Sequence, residues 1–239
     1  MHSIPMVEEP ARYTKTAFRM SDFVEIRSNH MFEVAMQYPL LHMKNAEEQC
    51  FVREEVYQML LKAYGLLPKG YRFKILDAWR PFALQKELYR TYSEDIIKEF
   101  KLTDCNEQKK QAIIRRFVSE PVPDKELPPV HTTGGAVDLT LLDEYGRELD
   151  MGTGFDAFTD KTHTAYFEND PQETSVRENR RLLYRVMIEA GFTNLPSEWW
   201  HYDYGDRFWA YYKQAPAIYR GVFTKEELNE KGYRAGEAE

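Results

Sequence analysis

The chain has 239 residues, 43% hydrophobic and 30% charged, which excludes disorder as its main state and is enough to bury a sizeable core as one domain spanning 1–239. Its formal charge is -7 with the two signs interspersed, so no basic stripe exists to follow a phosphate backbone, and nucleic acid is excluded as an expected partner. No apolar run approaches the ~20 residues that span a bilayer, and two cysteines, Cys50 and Cys105, are too few for a disulfide framework and read as free thiols. These features fit a globular protein of the cytoplasm without membrane partners. They set no oligomeric state.

In chain order, residues 1–20 are polar and broken by proline and read as an arm before a short strand, Phe23-Val24-Glu25-Ile26. From Glu47 to Ala63, Val52, Val56, Met59, Leu60 and Ala63 recur at helical spacing, with Gly65 and Pro68 as the stop. Tyr71 to Ile75 alternates with period two, as a strand does, and runs into Asp77-Ala78-Trp79-Arg80-Pro81. Pro81 then opens a helix to about Phe100 with Phe82, Leu88, Tyr89, Tyr92 and Ile96 as its apolar stripe. Arg80 therefore stands at a strand-to-helix junction, a place from which side chains often enter a site and where a plain surface ion pair is the simpler alternative. A further helix over Glu107–Phe117 precedes a proline-rich loop as far as Pro129.

Ala136 to Leu142 reads as a strand with Val137, Leu139 and Leu141 on one face and Asp138 on the other. A carboxylate inside an apolar strand needs a cation, a hydrogen-bond network or a metal, because burying it alone costs several kcal/mol. Gly134 and Gly135 allow the turn that brings His131 back towards Asp138. Asp143 to Arg147 is a turn, and His163 falls in a polar surface loop. Ser175-Val176-Arg177-Glu178 has capping-box spacing and opens a helix that Gly191 ends. Two short strands, Phe192–Leu195 and Trp199–Tyr204, a last helix from Thr224 and a frayed tail over 234–239 complete the reading.

His131, Asp138 and His201 can act as three metal ligands, leaving a fourth tetrahedral position for water, while Glu198, three residues before His201, is placed to handle a proton without ligating. Two histidines and one carboxylate suit zinc and also ferrous oxygenases, and spacing alone leaves both open. No His-Glu-x-x-His helix is present, which excludes the thermolysin-like arrangement.

His131-x-x-x-Gly135-x-x-Asp138, Glu198-x-x-His201, Asp77-Ala78-Trp79-Arg80-Pro81 and Met151-Gly152-Thr153-Gly154-Phe155-Asp156, in one consistent order over residues 50–210, resemble the D-alanyl-D-alanine dipeptidases of the vancomycin-resistance type, related to zinc D,D-carboxypeptidases. The resemblance implies an α+β fold, hedgehog/D,D-peptidase-like, with a central antiparallel sheet flanked by helices. It implies one zinc ion held by His131, Asp138 and His201, with Glu198 as general base and then acid, Arg80 at the oxyanion and Asp156 receiving the ammonium of a small D-dipeptide. Two positions depart from the family pattern. Pro129 stands where the family has Ser, two residues before the first His ligand, and Phe23–Arg27 offers no Tyr where the family has one in an amino-terminal strand. The expected activity is hydrolysis of D-alanyl-D-alanine or a close D-dipeptide. The alternatives are a zinc D,D- or L,D-carboxypeptidase trimming peptidoglycan stem peptides and a non-catalytic zinc-stabilised binding protein on the same fold.

Overall fold

The structure is a computed structural model that describes residues 2–231 and 233–235. Its elements in chain order are β1 (Phe23–Ile26), β2 (Phe32–Val34), α1 (Gln37–Leu40), β3 (Cys50–Arg53), α2 (Glu54–Tyr64), β4 (Arg72–Asp77), α3 (Phe82–Glu99), α4 (Glu107–Ile114), β5 (Ala136–Leu142), α5 (Thr174–Ala190), β6 (Thr193–Asn194), β7 (His201–Asp203), α6 (Arg207–Lys213), α7 (Lys225–Lys231) and β8 (Tyr233–Ala235).

A five-stranded sheet of order β2-β4-β5-β7-β6 forms the centre, and a three-stranded sheet of order β3-β1-β8 stands beside it. The inner pairings β4–β5, β5–β7 and β7–β6 are antiparallel, as expected, whereas β2 joins β4 in parallel. On one face, Phe73, Ile75, Val137, Leu139 and Leu141 pack with Val56 and Leu60 of α2 and Leu183, Val186 and Met187 of α5 into the main core. Each such aliphatic side chain contributes about 1.5–3 kcal/mol by leaving water. The period-two rule sends Asp138 to the opposite face. That face lies towards α3, whose Leu84 and Leu88 pack with Tyr38 of α1.

Several boundaries differ from the sequence reading. The helix expected from Glu47 begins only at Glu54, because Cys50–Arg53 pairs antiparallel with β1, Phe23 opposite Arg53 and Val24 opposite Val52. All four β3 residues are buried, so this long-range pairing and burial outweigh the helical spacing of Val52. The helix at 174–190 starts without a side-chain cap, with Glu173 rather than Ser175 at the cap position. Arg234 and Ala235, expected as the start of a frayed tail, have backbone partners in β1 through a parallel pairing; residues 236–239 of that tail lie outside the described residues.

The arm at 2–20 carries no helix or regular strand, yet it is tied down. Ile4 is buried and donates its N–H to Glu168 Oε1 at 3.1 Å, Tyr212 Oη donates to the Glu8 carbonyl at 2.9 Å, and Thr16 bridges to Ala217. No helix among the described residues is long and apolar enough to cross a membrane.

Candidate metal centre

Strand register brings the ligands together. Asp77 of β4 stands opposite Asp138 of β5, and Asp138 opposite His201 of β7, so three polar side chains cross the sheet abreast on one face. A register shift between Ile75 and Asp77 turns the end of β4 so that Arg80 follows into the same space.

His131 arrives from a single 3-10 turn, Val130–Thr133. Gly134 ends this turn at φ 74°, and a Cβ there would sit 2.4 Å from Phe23; at Gly135 it would sit 2.6 Å from the Tyr204 carbonyl. Only glycine fits this backbone. Arg53, 3% exposed, clamps the turn by donating Nε–H to the Thr133 carbonyl at 2.7 Å and Nη1–H to the Ser21 carbonyl at 2.7 Å. Around β7, Asn194 donates through Nδ2 to the Glu198 carbonyl at 3.0 Å and to the His201 carbonyl at 2.9 Å, which holds Glu198 and His201 on one tight turn.

The ligand atoms of His131, Asp138 and His201 all lie within 4.8 Å of one another, and all three residues are buried. His131 Nδ1–H donates to the Ala78 carbonyl at 2.8 Å, so Nε2 is the free nitrogen; His201 Nε2–H donates to Asp203 Oδ1 at 2.8 Å, so Nδ1 is free. These free nitrogens face each other at 3.2 Å, with Asp138 Oδ1 2.9 Å from His201 Nδ1 and Oδ2 3.3 Å from His131 Nε2. Three potential ligand atoms thus converge, an arrangement that a cation satisfies. Burial works against charge on Asp138, but the two imidazoles hold its carboxyl well below the usual range. His201 is likewise desolvated, yet Asp203 and then Asp138 raise its pKa well above the ordinary value. The centre is built to carry positive charge. Two imidazoles, each oriented by an outer hydrogen bond, and a carboxylate are a donor set that fits zinc.

Glu198 stands just outside this set, its Oε2 3.7 Å from His201 Nδ1. Desolvation pushes its carboxyl up to about 8, with His201 pulling the other way. Arg80, 7% exposed, is no surface ion pair. It donates Nε–H to Asp77 Oδ2 at 2.9 Å, Nη1–H to Gln85 Oε1 at 2.7 Å and Nη2–H to Tyr38 Oη at 3.1 Å. Tyr38 Oη in turn donates to Asp156 Oδ2 at 2.9 Å, and Tyr92 Oη donates to the same oxygen at 2.7 Å. Burial raises Asp156 to about 6, against the two tyrosine hydrogen bonds. Asp156 itself occupies a turn at φ 55°.

All six residues singled out from the sequence, His131, Asp138, His201, Glu198, Arg80 and Asp156, line one small cleft of about 50 Å3. Tyr38, Gln85 and Tyr92 were missed. Tyr92 was visible only as one member of an apolar stripe, and Tyr38 lies on a four-residue helix beside Pro39, too short for any periodic signal. A tyrosine hydroxyl does reach the cleft, from Tyr38 of α1. Pro129 does line the cleft, without a hydroxyl to offer. His163, expected at the surface, is exposed.

A mixed α/β scaffold thus gathers two histidines and a carboxylate, with one further carboxylate beside them, into a candidate metal centre. The chain belongs to the peptidase family described as D-ala-D-ala dipeptidase, which it matches over residues 40–219. It is 33% identical over 150 residues to a D-alanyl-D-alanine dipeptidase of Synechocystis, covering 57% of this chain and 61% of that one. To the Escherichia coli D-alanyl-D-alanine dipeptidase it is 30% identical over 160 residues, covering 66% and 68%. The chain thus spans about two thirds or less of the length of these relatives. A solved vancomycin-resistance D,D-pentapeptidase in complex with Zn(II) superposes over 86% of this chain and 97% of its own, at 15% identity and TM-score 0.40, a likeness that adds nothing to the family match.

Proposed function

We propose that the chain is a zinc-dependent dipeptidase that hydrolyses D-alanyl-D-alanine or a closely related D-dipeptide. The observation that carries this is the convergence of three ligand atoms within 4.8 Å, with the Glu198 carboxylate 3.7 Å from one of them. When bound, zinc supplies a Lewis acid that lowers the pKa of water and polarises a carbonyl. The remaining steps belong to the protein. Glu198 takes the proton of the attacking water and returns it to the leaving amine, a role for which a pKa near neutrality is suited. Arg80 keeps an N–H free beyond its bonds to Asp77, Gln85 and Tyr38, and presents it with its full charge to the oxyanion.

Asp156 receives the substrate's ammonium group. The Arg80–Tyr38–Asp156 chain of hydrogen bonds ties the oxyanion group to the ammonium group, which supports a short substrate with a free amino terminus. An amino-extended peptide would place an amide against Asp156 and leave that carboxylate without its counter-ion, which favours a dipeptidase over a carboxypeptidase. The two free thiols fit a reducing compartment, and a cytoplasmic location is part of the proposal.

The test is Glu198→Ala assayed against D-alanyl-D-alanine and against tri- to pentapeptides ending in it. The expected result is turnover lower by about 10^3-fold with one zinc still bound per chain. Near-normal hydrolysis by this variant would sink the mechanism, and faster cleavage of the longer peptides by the unaltered enzyme would move the assignment to a carboxypeptidase.

A further inference from the structure

A second cavity, of about 370 Å3, opens directly behind Glu198. It shares Phe117, Val118, Ser119, Leu195, Glu198 and Phe208 with the metal cleft but contains neither Asp156 nor Arg80 nor any metal ligand. Its far wall is Glu9 and Pro10 of the amino-terminal arm together with Ser197, and its flank is Arg115 and Arg116 of the segment after α4. Glu9 and Ser197, the residue next to Glu198, line it together. The arm is held across this cavity at three points: Ile4 on Glu168, Glu8 on Tyr212, and Tyr13 edge-on to Tyr211 with ring centroids 6.3 Å apart.

A dipeptide whose ammonium lies at Asp156 must send its carboxylate end away from Asp156, past the metal and Glu198. That carboxylate needs a donor. Position 129 is proline, and the free N–H of Arg80, the sole cation apart from the histidines among the described residues lining the metal cleft, is assigned above to the oxyanion. Arg115 and Arg116 are the next cations along this path. Their side chains are 62% and 48% exposed and pair with Glu120 and Asp160, so each has freedom to turn towards a new anion. The segment that carries them is fixed to the catalytic face, because Gln85 accepts from Arg80 and donates Nε2–H to the Ser119 carbonyl at 2.9 Å.

We propose that this cavity is the subsite for the carboxyl-terminal residue of the substrate, with Arg115 and Arg116 holding its α-carboxylate and Glu9 and Pro10 of the arm forming its wall. The proposal rests on the dipeptidase reading above. It assigns specificity on the carboxyl side to the arm, and the size of the cavity admits carboxyl-terminal side chains larger than methyl.

The experiment compares D-alanyl-D-alanine, its carboxyl-terminal amide and D-alanyl-D-phenylalanine on the unaltered enzyme, on Arg116→Gln, on Arg116→Lys and on the Arg115→Gln/Arg116→Gln double variant. Both arginines are exposed, so the fold tolerates the changes. The double variant is expected to raise KM for D-alanyl-D-alanine about tenfold, the equivalent of ~1.4 kcal/mol, with kcat nearly unchanged and no shift for the amide. Arg116→Lys is expected to recover part of the loss. Equal effects on acid and amide, or none on either, overturn the subsite while leaving the dipeptidase reading intact; an unaltered enzyme that binds zinc but cleaves none of the three removes both. For the wall, Pro10→Gly is expected to change the ratio of kcat/KM between the phenylalanine and alanine substrates at least threefold, and an unchanged ratio removes the arm from the assignment.

Discussion

On the sheet side of the cleft, Asp138 and His201 face each other on paired strands, and their outer partners, Asp203 for His201 and the Ala78 carbonyl for His131, come from residues equally buried. At the other end, Asp156 sits in an irregular turn at positive φ, and the hydroxyls that hold it come from α1 and α3, 118 and 64 residues away in sequence. The first region is preorganised by a hydrogen-bond ladder that exists for the fold's own sake. The second is assembled by side chains alone. On the proposed function, metal binding and proton transfer therefore draw on residues held by strand pairing, while recognition is left to segments that could change without disturbing the core.

This division predicts that damage on the two sides will look different. His201→Ala removes a ligand from the strand-paired side and should abolish both zinc binding and turnover, yet the main core around α2 and α5 does not include the ligands, so far-ultraviolet dichroism should stay close to that of the unaltered protein. Metal analysis after dialysis checks the first part; stoichiometric zinc in His201→Ala would show that the converging atoms are not the metal site. Asp156→Asn on the other side should keep zinc and most of kcat but raise KM by about 30-fold, the ~2 kcal/mol expected for leaving a charge without its partner.

The same residue gives a pH signature. Burial places the Asp156 carboxyl at about 6, above its unfolded value, so the folded protein favours the protonated form and loses stability as pH rises from about 4 through 6. Ammonium binding needs the ionised form. KM should therefore be flat above pH 6 and rise about tenfold per unit below it, and this limb should vanish in Asp156→Asn. A limb that persists in the variant would assign the titration to another group.

What could be read from the sequence divides along the same line. His131, Asp138, Glu198 and His201 were legible because ligand chemistry demands particular residue types and because a carboxylate in an apolar strand calls for an explanation. Asp156 and the role of Arg80 came through resemblance, since nothing about a lone Asp after Gly154 and Phe155 announces an ammonium site. Tyr38 and Tyr92 were not legible at all: their function is fixed by the packing of α1 and α3 over the cleft, which no local pattern encodes. Strand β3 was misread for a related reason. Its helical-looking spacing is local, and the pairing with β1 that overrides it is not. The arm at 2–20 was seen as irregular, correctly, but its contacts with Glu168, Tyr211 and Tyr212 depend on residues more than 160 positions away.

The smallest effect is the one that separates the tyrosines from Asp156 itself. Tyr92 donates to Asp156 Oδ2 at 2.7 Å and Tyr38 to the same oxygen at 2.9 Å, and both bonds favour the ionised carboxylate. Removing one hydroxyl in Tyr92→Phe takes away a stabiliser of the charged form, so the pKa of Asp156 must move further up, by about one unit if a charge-assisted bond is worth ~1.5 kcal/mol. At pH 8 Asp156 stays ionised and KM should be close to that of the unaltered enzyme; near pH 6 it should be several-fold higher, with kcat little changed at either. Tyr38→Phe would shift the same limb but should also lower kcat, because Tyr38 is bonded to Arg80 as well as to Asp156. Matching kcat losses in the two variants would mean that Tyr38 does not couple the ammonium end of the cleft to the oxyanion end, and that the distance between them is set by the backbone alone.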